Sequence, residues 1–303
     1  MRKMIRNFLN RFGYDIIKTK GFVIDNRKSS QVKKVKVGNF FIEMPGNNIQ
    51  LHFYRQYPDM NSQLARLSTC IAKKYPDLTV IDIGANVGDT IAIIKSAIDL
   101  PVIGVEGDDT SYRFLEKNTK QFQNITIINQ FLGETKENRP VTFEKSGWNT
   151  TILLPEQSDQ SINLKSLDEV LTEKGLTKKT LKLLKIDTEG FDTIILRGAK
   201  KLISDQHPVI YIEFNKNNME AIKEDGLSTL FSLQEAGYRS VIFFDNHGRY
   251  LTTLDIQQHD TIRQLYNYSD ETNSCILYYD LCLFHETDTE LSKKFVDGEL
   301  NRM

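Results

Sequence analysis

The 303-residue sequence has few of the features that mark disulfide-rich, membrane-spanning or nucleic-acid-binding proteins. Its three cysteines, Cys70, Cys275 and Cys282, include no C-x-x-C pair, so we expect buried, unpaired thiols in a reducing compartment. No run of about 20 apolar residues is present, which argues against a spanning helix. Arg6 and Asn10 interrupt the apolar residues near the start, so we expect no secretory signal. The formal net charge of −1 excludes general attraction to nucleic acid.

Residues 1–36 form a basic N-terminal segment. An apolar stripe at helical spacing runs through its first half, surrounded by arginine and lysine. Such a helix fits either an anionic membrane surface or the surface of the domain or of a partner subunit. Residues 27–36 are rich in lysine and predict a linker. The stripe consists of Met4, Ile5, Phe8, Leu9 and Phe12.

Residues 37–78 predict a second unit, a hairpin followed by a helix. The apolar runs 40–42 and 51–54 flank a Pro-Gly-Asn-Asn turn at 45–48, a pattern typical of two paired strands. A helix over about 60–75 then leads into the main domain.

Residues 79–303 predict an α/β domain. Strand and helix patterns alternate, which favours a Rossmann-like sheet of seven mostly parallel strands with helices on both faces. A further short strand over 249–254 follows a turn at 245–248. The seven strands are expected at 79–83, 102–106, 125–131, 182–187, 208–214, 238–244 and 275–284.

The first strand of this domain runs into a glycine-rich turn, residues 84–88, where a nucleotide-like ligand belongs. Asp82 precedes the turn, and Asp89 and Thr90 follow it, where either can cap the next helix. The two acids would repel a pyrophosphate, so they disfavour a dinucleotide. They suit a ligand that carries sulfonium and ammonium groups.

Glu106 ends the second strand, 18 residues past Gly88. An acid at this distance accepts hydrogen bonds from both hydroxyls of an adenosine ribose. Dinucleotide dehydrogenases and S-adenosylmethionine enzymes share this feature. The glycine turn separates them, because it lacks the G-x-G-x-x-G pattern typical of dehydrogenases and is flanked by acids.

A second glycine turn follows the fourth strand. Asp187 and Glu189 lie at its carboxyl end, and Glu213 and Asn215 lie at the end of the next strand, so their side chains are expected at one edge of the sheet. Such acids serve as a general base, a hydroxyl-binding site or an oxygen site for Mg²⁺, and the residues alone leave these open. Asp192 is expected only to cap a loop or helix.

Over residues 78–216 the sequence resembles the FkbM family of methyltransferases. The resemblance implies a class I methyltransferase fold, S-adenosyl-L-methionine as cofactor, and methyl transfer to a hydroxyl oxygen, usually of a sugar or polyketide. The motifs that carry it are Ile81-Asp82-Ile83-Gly84-Ala85-Asn86-Val87-Gly88, Val105-Glu106, Ser166-Leu167-Asp168, Leu184-Lys185-Ile186-Asp187-Thr188-Glu189-Gly190-Phe191-Asp192, Gly198-Ala199 and Glu213-Phe214-Asn215.

The resemblance also assigns roles to residues. A sugar hydroxyl needs a base, for which Asp187 and Glu189 are the first candidates. His247 is the next, if its strand runs parallel to the others; otherwise it is an ordinary turn histidine. The cofactor-binding residues implied are Gly84, Ala85, Asn86 and Gly88 for the methionine part, Glu106 for the ribose, and Phe131 and Leu132 near the adenine, together with Asp82 and Gly107.

The sequence and its resemblance therefore predict a cytoplasmic O-methyltransferase that acts on a sugar, glycan or glycolipid precursor beside glycosyltransferases. Residues 1–20 fit either the inner face of the membrane or packing on the protein itself or a partner subunit. The alternative is a non-catalytic protein that binds the cofactor within a glycan-assembly complex. A nucleic-acid methyltransferase is disfavoured, because the chain lacks the Asn/Asp-Pro-Pro-Tyr/Phe motif of base methyltransferases. Trp148, the single tryptophan, either stacks on a sugar or is ordinarily buried.

Overall fold

The computed structural model describes residues 14–16, 23–25, 31–146, 149–153, 158–269 and 275–302. The apolar stripe of residues 4–12 and Trp148 lie outside the described residues. The first two strands, β1 (Tyr14–Ile16) and β2 (Val23–Asp25), pair antiparallel. No helix in the described ranges is long and apolar enough to cross a bilayer.

The hairpin before the main domain differs from the predicted one. Strand β3 (Val32–Val37) pairs antiparallel with β4 (Phe40–Pro45), so β3 begins inside the segment predicted to be a linker. The run 51–54, predicted as a strand, lies within helix α1 (Gln50–Gln56). Four apolar residues do not separate a strand from a helical turn, and the buried residues Leu51 and Tyr54 are three apart, which is helical spacing. Helix α2 (Ser62–Ala72) matches its prediction.

From residue 78 onward strands alternate with helices as predicted, except over residues 125–165, where six strands follow one another. In chain order the elements are β5 (Leu78–Ile83), α3 (Asp89–Ala97), β6 (Val102–Glu106), α4 (Asp109–Thr119), β7 (Ile125–Asn129), β8 (Phe131–Leu132), β9 (Glu137–Pro140), β10 (Thr142–Ser146), β11 (Asn149–Leu153), β12 (Ser161–Lys165), α5 (Leu167–Glu173), β13 (Thr180–Ile186), α6 (Asp192–Arg197), α7 (Lys200–Gln206), β14 (Val209–Phe214), α8 (Lys216–Ala221), α9 (Gly226–Ser232), β15 (Tyr238–Asp245), β16 (Tyr250–Asp255), α10 (His259–Tyr268), β17 (Tyr279–His285), a 3₁₀ turn (Glu286–Asp288) and α11 (Thr289–Leu300).

The central sheet contains eight strands among the described residues, in the order β16-β15-β17-β14-β13-β5-β6-β7. Strands β5, β6, β7, β13 and β14 are parallel, and β17 runs antiparallel between β14 and β15. The predicted α/β class and the mostly parallel sheet are confirmed. The eighth strand, β16, is the short strand predicted over 249–254, which extends the sheet as an antiparallel edge.

Helices cover both faces of the sheet, and the strands between them are apolar on both sides. Every residue of β5 and of β14 is buried, as expected for parallel strands between two helical layers. Helices α2, α3 and α11 contribute to the core on one face, and α5 to α10 to the core on the other. The carboxyl ends of β5, β6, β13, β14 and β15 therefore meet along one edge, which positions the site.

The thiols are only partly as predicted. Cys282 is buried in β17 and Cys70 is half-buried, but Cys275 is exposed and precedes the strand on which it was expected. The predicted strand begins at residue 275, whereas β17 begins at Tyr279. Residues 275–278 do not pair with another strand in the described part of the chain.

Candidate active site

The first glycine turn lies directly against the second. Gly84 has a φ of 72°, and a Cβ at this position would lie 1.8 Å from the backbone oxygen of Asp187. Gly88, with a φ of 86°, directly precedes α3, while Ala85 is buried and Asn86 also has a positive φ, of 47°. Only glycine combines this backbone conformation with such a close approach. The turn predicted to hold a cofactor is therefore held in place by the turn predicted to act on the acceptor.

Asp82 lies beneath the turn with its charge already paired. Its side chain is fully buried, and its carboxylate is 2.9 Å from the ammonium of Lys185 and accepts a hydrogen bond from Thr90. Lys185 also donates to the carbonyl of Gly84 at 3.3 Å and lies 3.7 Å from Asp187. Burial opposes the charge on Lys185, but the two carboxylates outweigh it and raise the pKa of this lysine. Lys185 thus ties the two turns together.

Asp89 and Thr90 do not cap α3 as predicted. The residue before the helix is Gly88, and no side chain caps it. Thr90 instead bonds Asp82, and Asp89 accepts a hydrogen bond of 2.5 Å from the phenol of Tyr54. Burial raises the pKa of Asp89, although Tyr54 and Lys185 oppose the shift. Unlike Asp82, Asp89 has no lysine ammonium within 4 Å among the residues that the structure describes.

Glu106 lies at the end of β6, as predicted for a ribose-binding acid. Its two oxygens accept backbone N–H groups, from Asn86 at 2.9 Å and from Asp108 at 2.8 Å. Burial raises the pKa of Glu106 to about 7, against the effect of these two amides. A Cβ on Gly107 would lie 2.3 Å from the ring of Phe131, so this glycine lets the ring approach the end of β6. Leu132, next to Phe131, is buried.

The second glycine turn holds its acids in three different ways. The Asp187 side chain is 44% exposed and directed by Lys185. Glu189 has a φ of 55°, rare for a residue with a side chain, and accepts a hydrogen bond of 2.9 Å from Asn218. Asp192 is fully buried and accepts the backbone N–H groups of Thr188 and Gly190 at 2.9 Å, which is the loop-capping role predicted for it. Asp187 and Glu189 are thus partly exposed, whereas Asp192 is buried.

The acids of three strands meet at this edge. Glu213 pairs with Asp280 across the β14–β17 ladder, and Asp187 follows the last β13–β14 pair. Burial, then the charge of Asp187, raises the pKa of Glu213 well above its usual range and that of Asp280 to about 7. Tyr211 donates to Asp280 at 2.9 Å, and Gln63 of α2 donates to Tyr211 at 2.8 Å. A patch of carboxylates, partly protonated at neutral pH, therefore adjoins the turns.

The sequence left several of these residues out. Lys185 had a usable signal, because it lies two residues before Asp187 on the same strand and so on the same face. Asp280 also had a signal, because it is an acid within an otherwise apolar strand, but nothing in the sequence indicated its role. Tyr54 and Gln63 had no local signal, since they reach the site only through the packing of α1 and α2.

His247 lies at the same edge. Strand β15 is parallel to β14, since both run antiparallel to β17, and this meets the condition on which the prediction rested. The side chain is exposed, its backbone N–H donates to Asp245, and its ring is 6.1 Å from that of Tyr57. Asn215 caps α8 and donates to Glu213 at 3.2 Å. Within the described ranges, no three His, Cys, Asp or Glu residues are arranged to hold a metal ion.

We expect Asp280→Asn to make the protein more stable than the parent at pH 8 but not at pH 4. The folded pKa near 7 exceeds the unfolded value near 4, so folding favours the protonated acid, and its contribution to stability is lost as pH rises from about 4 through 7. The gain at pH 8 should be at most about 4 kcal/mol, since a difference of one pKa unit corresponds to about 1.4 kcal/mol, and urea denaturation at both pH values measures it. Asp205→Asn, the same change at an exposed acid, should show no such dependence, and a gain independent of pH would contradict the explanation.

Known structures and families show what the chain is similar to. A structure of methyltransferase FkbM from Methylobacillus flagellatus KT is 19% identical over 45% of this chain and 32% of that chain, with a TM-score of 0.33. The O-methyltransferase from Bacillus cereus in complex with SAH is 12% identical over 68% and 86%, with a TM-score of 0.40. Precorrin-6y C5,15-methyltransferase from Geobacter metallireducens GS-15 is 11% identical over 69% and 81%, with a TM-score of 0.36. The chain spans about a third of the Methylobacillus protein, and no curated protein sequence matches it.

The family comparison is more specific. The family described as "Methyltransferase FkbM domain" matches residues 82–240, more than half of the chain. The matched region includes both glycine turns, Glu106, Asp187 and Glu213, whereas Tyr54, Gln63, His247 and Asp280 lie outside it. The arrangement at the sheet edge fits the cofactor of this family, with an acid at the end of β6 and glycines where the backbone must turn. The chain belongs to the FkbM family and is an S-adenosylmethionine-dependent methyltransferase.

Proposed function

We propose that the enzyme is an O-methyltransferase whose acceptor is a hydroxyl group of a sugar, glycan or glycolipid precursor. The observation that carries the proposal is the patch of carboxylates beside the cofactor turns, formed by Asp187, Glu189, Glu213 and Asp280. Carboxylates accept hydrogen bonds from hydroxyl groups, and vicinal sugar hydroxyls match several of them at once. Among the described residues, Lys185 is the one cation within ion-pair distance of this patch, and its ammonium lies 3.7 Å from the carboxylate of Asp187.

The cofactor supplies an electrophilic methyl group when it is bound. The protein has to orient the acceptor hydroxyl and remove its proton. Asp187 is suited to the second task, because its side chain is accessible and Lys185, 3.7 Å away, holds its orientation. Glu189 is held by Asn218, which favours a part in binding the acceptor. His247 lies in an exposed turn at the same edge, where it can take up the proton or bind a further hydroxyl.

We expect Glu106→Gln to weaken S-adenosylmethionine binding about 10- to 100-fold, the value of one charge-assisted hydrogen-bonding group. Because the pKa of Glu106 is about 7, the affinity of the parent should rise with pH as this acid ionises, and the affinity of the variant should not. Isothermal titration calorimetry from pH 6 to pH 8 measures both. Glu235→Gln, an exposed acid on the surface, is the control. An affinity that rises with pH equally in Glu106→Gln would remove Glu106 from the ribose site.

The direct test is transfer of a labelled methyl group from S-adenosylmethionine into fractionated envelope glycans and glycolipids, with mass spectrometry of the product. An O-methylated sugar supports the proposal. A methyl group on nitrogen, or on an acceptor without sugar hydroxyls, contradicts it. Cofactor binding with no transfer to any fraction would favour the non-catalytic role in a glycan-assembly complex.

We also propose where the enzyme works. Glycan precursors are made on the cytoplasmic side of membranes, so the proposal puts the enzyme in the cytoplasm beside glycosyltransferases. The basic, apolar pattern of residues 1–20 supports contact with an anionic membrane surface.

A further inference from the structure

One part of the site comes from outside the family's matched region. Helix α1 carries Tyr54, whose side chain is 3% exposed and whose hydroxyl donates to Asp89 at 2.5 Å. Asp89 is itself 7% exposed and directly follows Gly88 of the first glycine turn. A residue of the N-terminal unit thus determines where an acid of the cofactor turn points.

Packing fixes the position of α1. Its buried residues Leu51 and Tyr54 share an apolar cluster with Val87 of the turn and with Ala92 and Ile93 of α3. Two of the cluster's other members, Val35 and Ile42, come from the β3–β4 hairpin. The helix therefore lies on the turn and on the start of α3, and its placement does not depend on the Tyr54 hydroxyl.

The polar contacts fix the direction of the Tyr54 hydrogen bond. Asn61, with a φ of 61° at the start of α2, donates to the Tyr54 oxygen at 3.5 Å. Burial and the charge of Asp89 raise the pKa of Tyr54, so the phenol keeps its proton and remains a donor. The nearby charge of Asp187 acts in the same direction. Since Lys185 already neutralises Asp82, Asp89 is left as the acid of this turn that can attract a cationic ligand.

We propose that Tyr54 is a positioning residue for the cofactor, which holds the carboxylate of Asp89 where it attracts the cationic methionine end of S-adenosylmethionine. This inference rests on the cofactor of the family and not on the identity of the acceptor. It gives the N-terminal unit a direct part in cofactor selection.

The test compares ligands with and without the methionine end. In Tyr54→Phe the ring and its packing remain and only the hydroxyl is lost. We expect affinities for S-adenosylmethionine and S-adenosylhomocysteine to fall about tenfold, the effect of one hydrogen bond to a charged group. Affinity for 5′-methylthioadenosine, which lacks the amino-acid portion, should stay the same. Isothermal titration calorimetry gives all three values.

Two further variants make the result specific. Tyr75→Phe removes a phenol that donates to Asp288 at 2.9 Å at the opposite edge of the sheet, so it should change none of the three affinities. Asp89→Asn should weaken the two methionine-containing ligands as Tyr54→Phe does, and Tyr54→Phe should add little in that background. If Tyr54→Phe does not fold, Asp89→Asn alone tests the charge. An equal loss for all three ligands, or no loss, would overturn the proposal.

Discussion

Replacing Lys185 by methionine is expected to lower the free energy of unfolding by about 3–5 kcal/mol, as for other buried ion pairs that lose one partner. The side chains of Lys185 and Asp82 are 3% and 0% exposed. Without the ammonium, the hydroxyl of Thr90 is the one hydrogen-bond donor left to the Asp82 side chain among the described residues. Asp82 must then either hold an uncompensated charge in the core or take up a proton. Urea denaturation at pH 7 measures the loss.

Two variants distinguish the effect of breaking the Lys185–Asp82 ion pair from the effect of removing any buried lysine. Lys95→Met removes another buried lysine, but its partner Asp99 is 67% exposed and stays hydrated, so we expect a loss of about 1 kcal/mol. Adding Asp82→Asn to Lys185→Met should restore much of the stability, because the orphaned charge is gone. A small loss in Lys185→Met, or no recovery in the double variant, would show that Asp82 tolerates burial without its lysine.

Asp187→Asn is expected to lower kcat by about 10²- to 10⁴-fold, the range for removal of a general base. The amide keeps the size of the side chain, and the backbone oxygen of Asp187 that touches Gly84 stays in place. Cofactor affinity should therefore change little. Single-turnover methyl transfer to the acceptor, together with the cofactor Kd, separates the two effects.

The matched change Glu189→Gln identifies the base. Asn218 already occupies one oxygen of Glu189, so we expect less than a tenfold loss in kcat and mainly a higher KM for the acceptor. If His247 takes the proton from the acceptor, His247→Gln should flatten the pH dependence of kcat. If it does not, the pH dependence of kcat should stay as in the parent. A larger kcat loss in Glu189→Gln than in Asp187→Asn would assign the base to Glu189.

The strands of the central sheet were predictable because each is a short apolar run, and β5, β6, β13 and β15 also end in or directly before a glycine or an acid. The prediction for β6 coincides with the observed strand, since Glu106 ends its apolar run. The partner of β4 was not predictable, because residues 51–54 are too few to distinguish a strand from the first turns of α1. Residues 32–37 consist of three valines and three lysines without strict alternation, and the lysines obscured the strand.

The cofactor half of the site follows from local sequence, and the acceptor half does not. Glu106 and the turn of Gly84 and Gly88 are defined by spacing within one strand-turn-helix unit. Asp280 becomes part of the site only because β17 inserts between β14 and β15, and Gln63 only because α2 packs over that face. Contacts between elements 148 or more residues apart leave no periodic signal in the sequence.

The position of β17 also affects the order in which the chain folds during synthesis. Both neighbours, β14 and β15, leave the ribosome before it, so the β15–β16 hairpin cannot join the parallel strands until about residue 285 has emerged. Until then β14 has a free edge, which is a site for mispairing with other chains. The nascent chain is thus exposed to aggregation after the family's matched region is complete, and the late strand that closes this edge also delivers Asp280 to the active site.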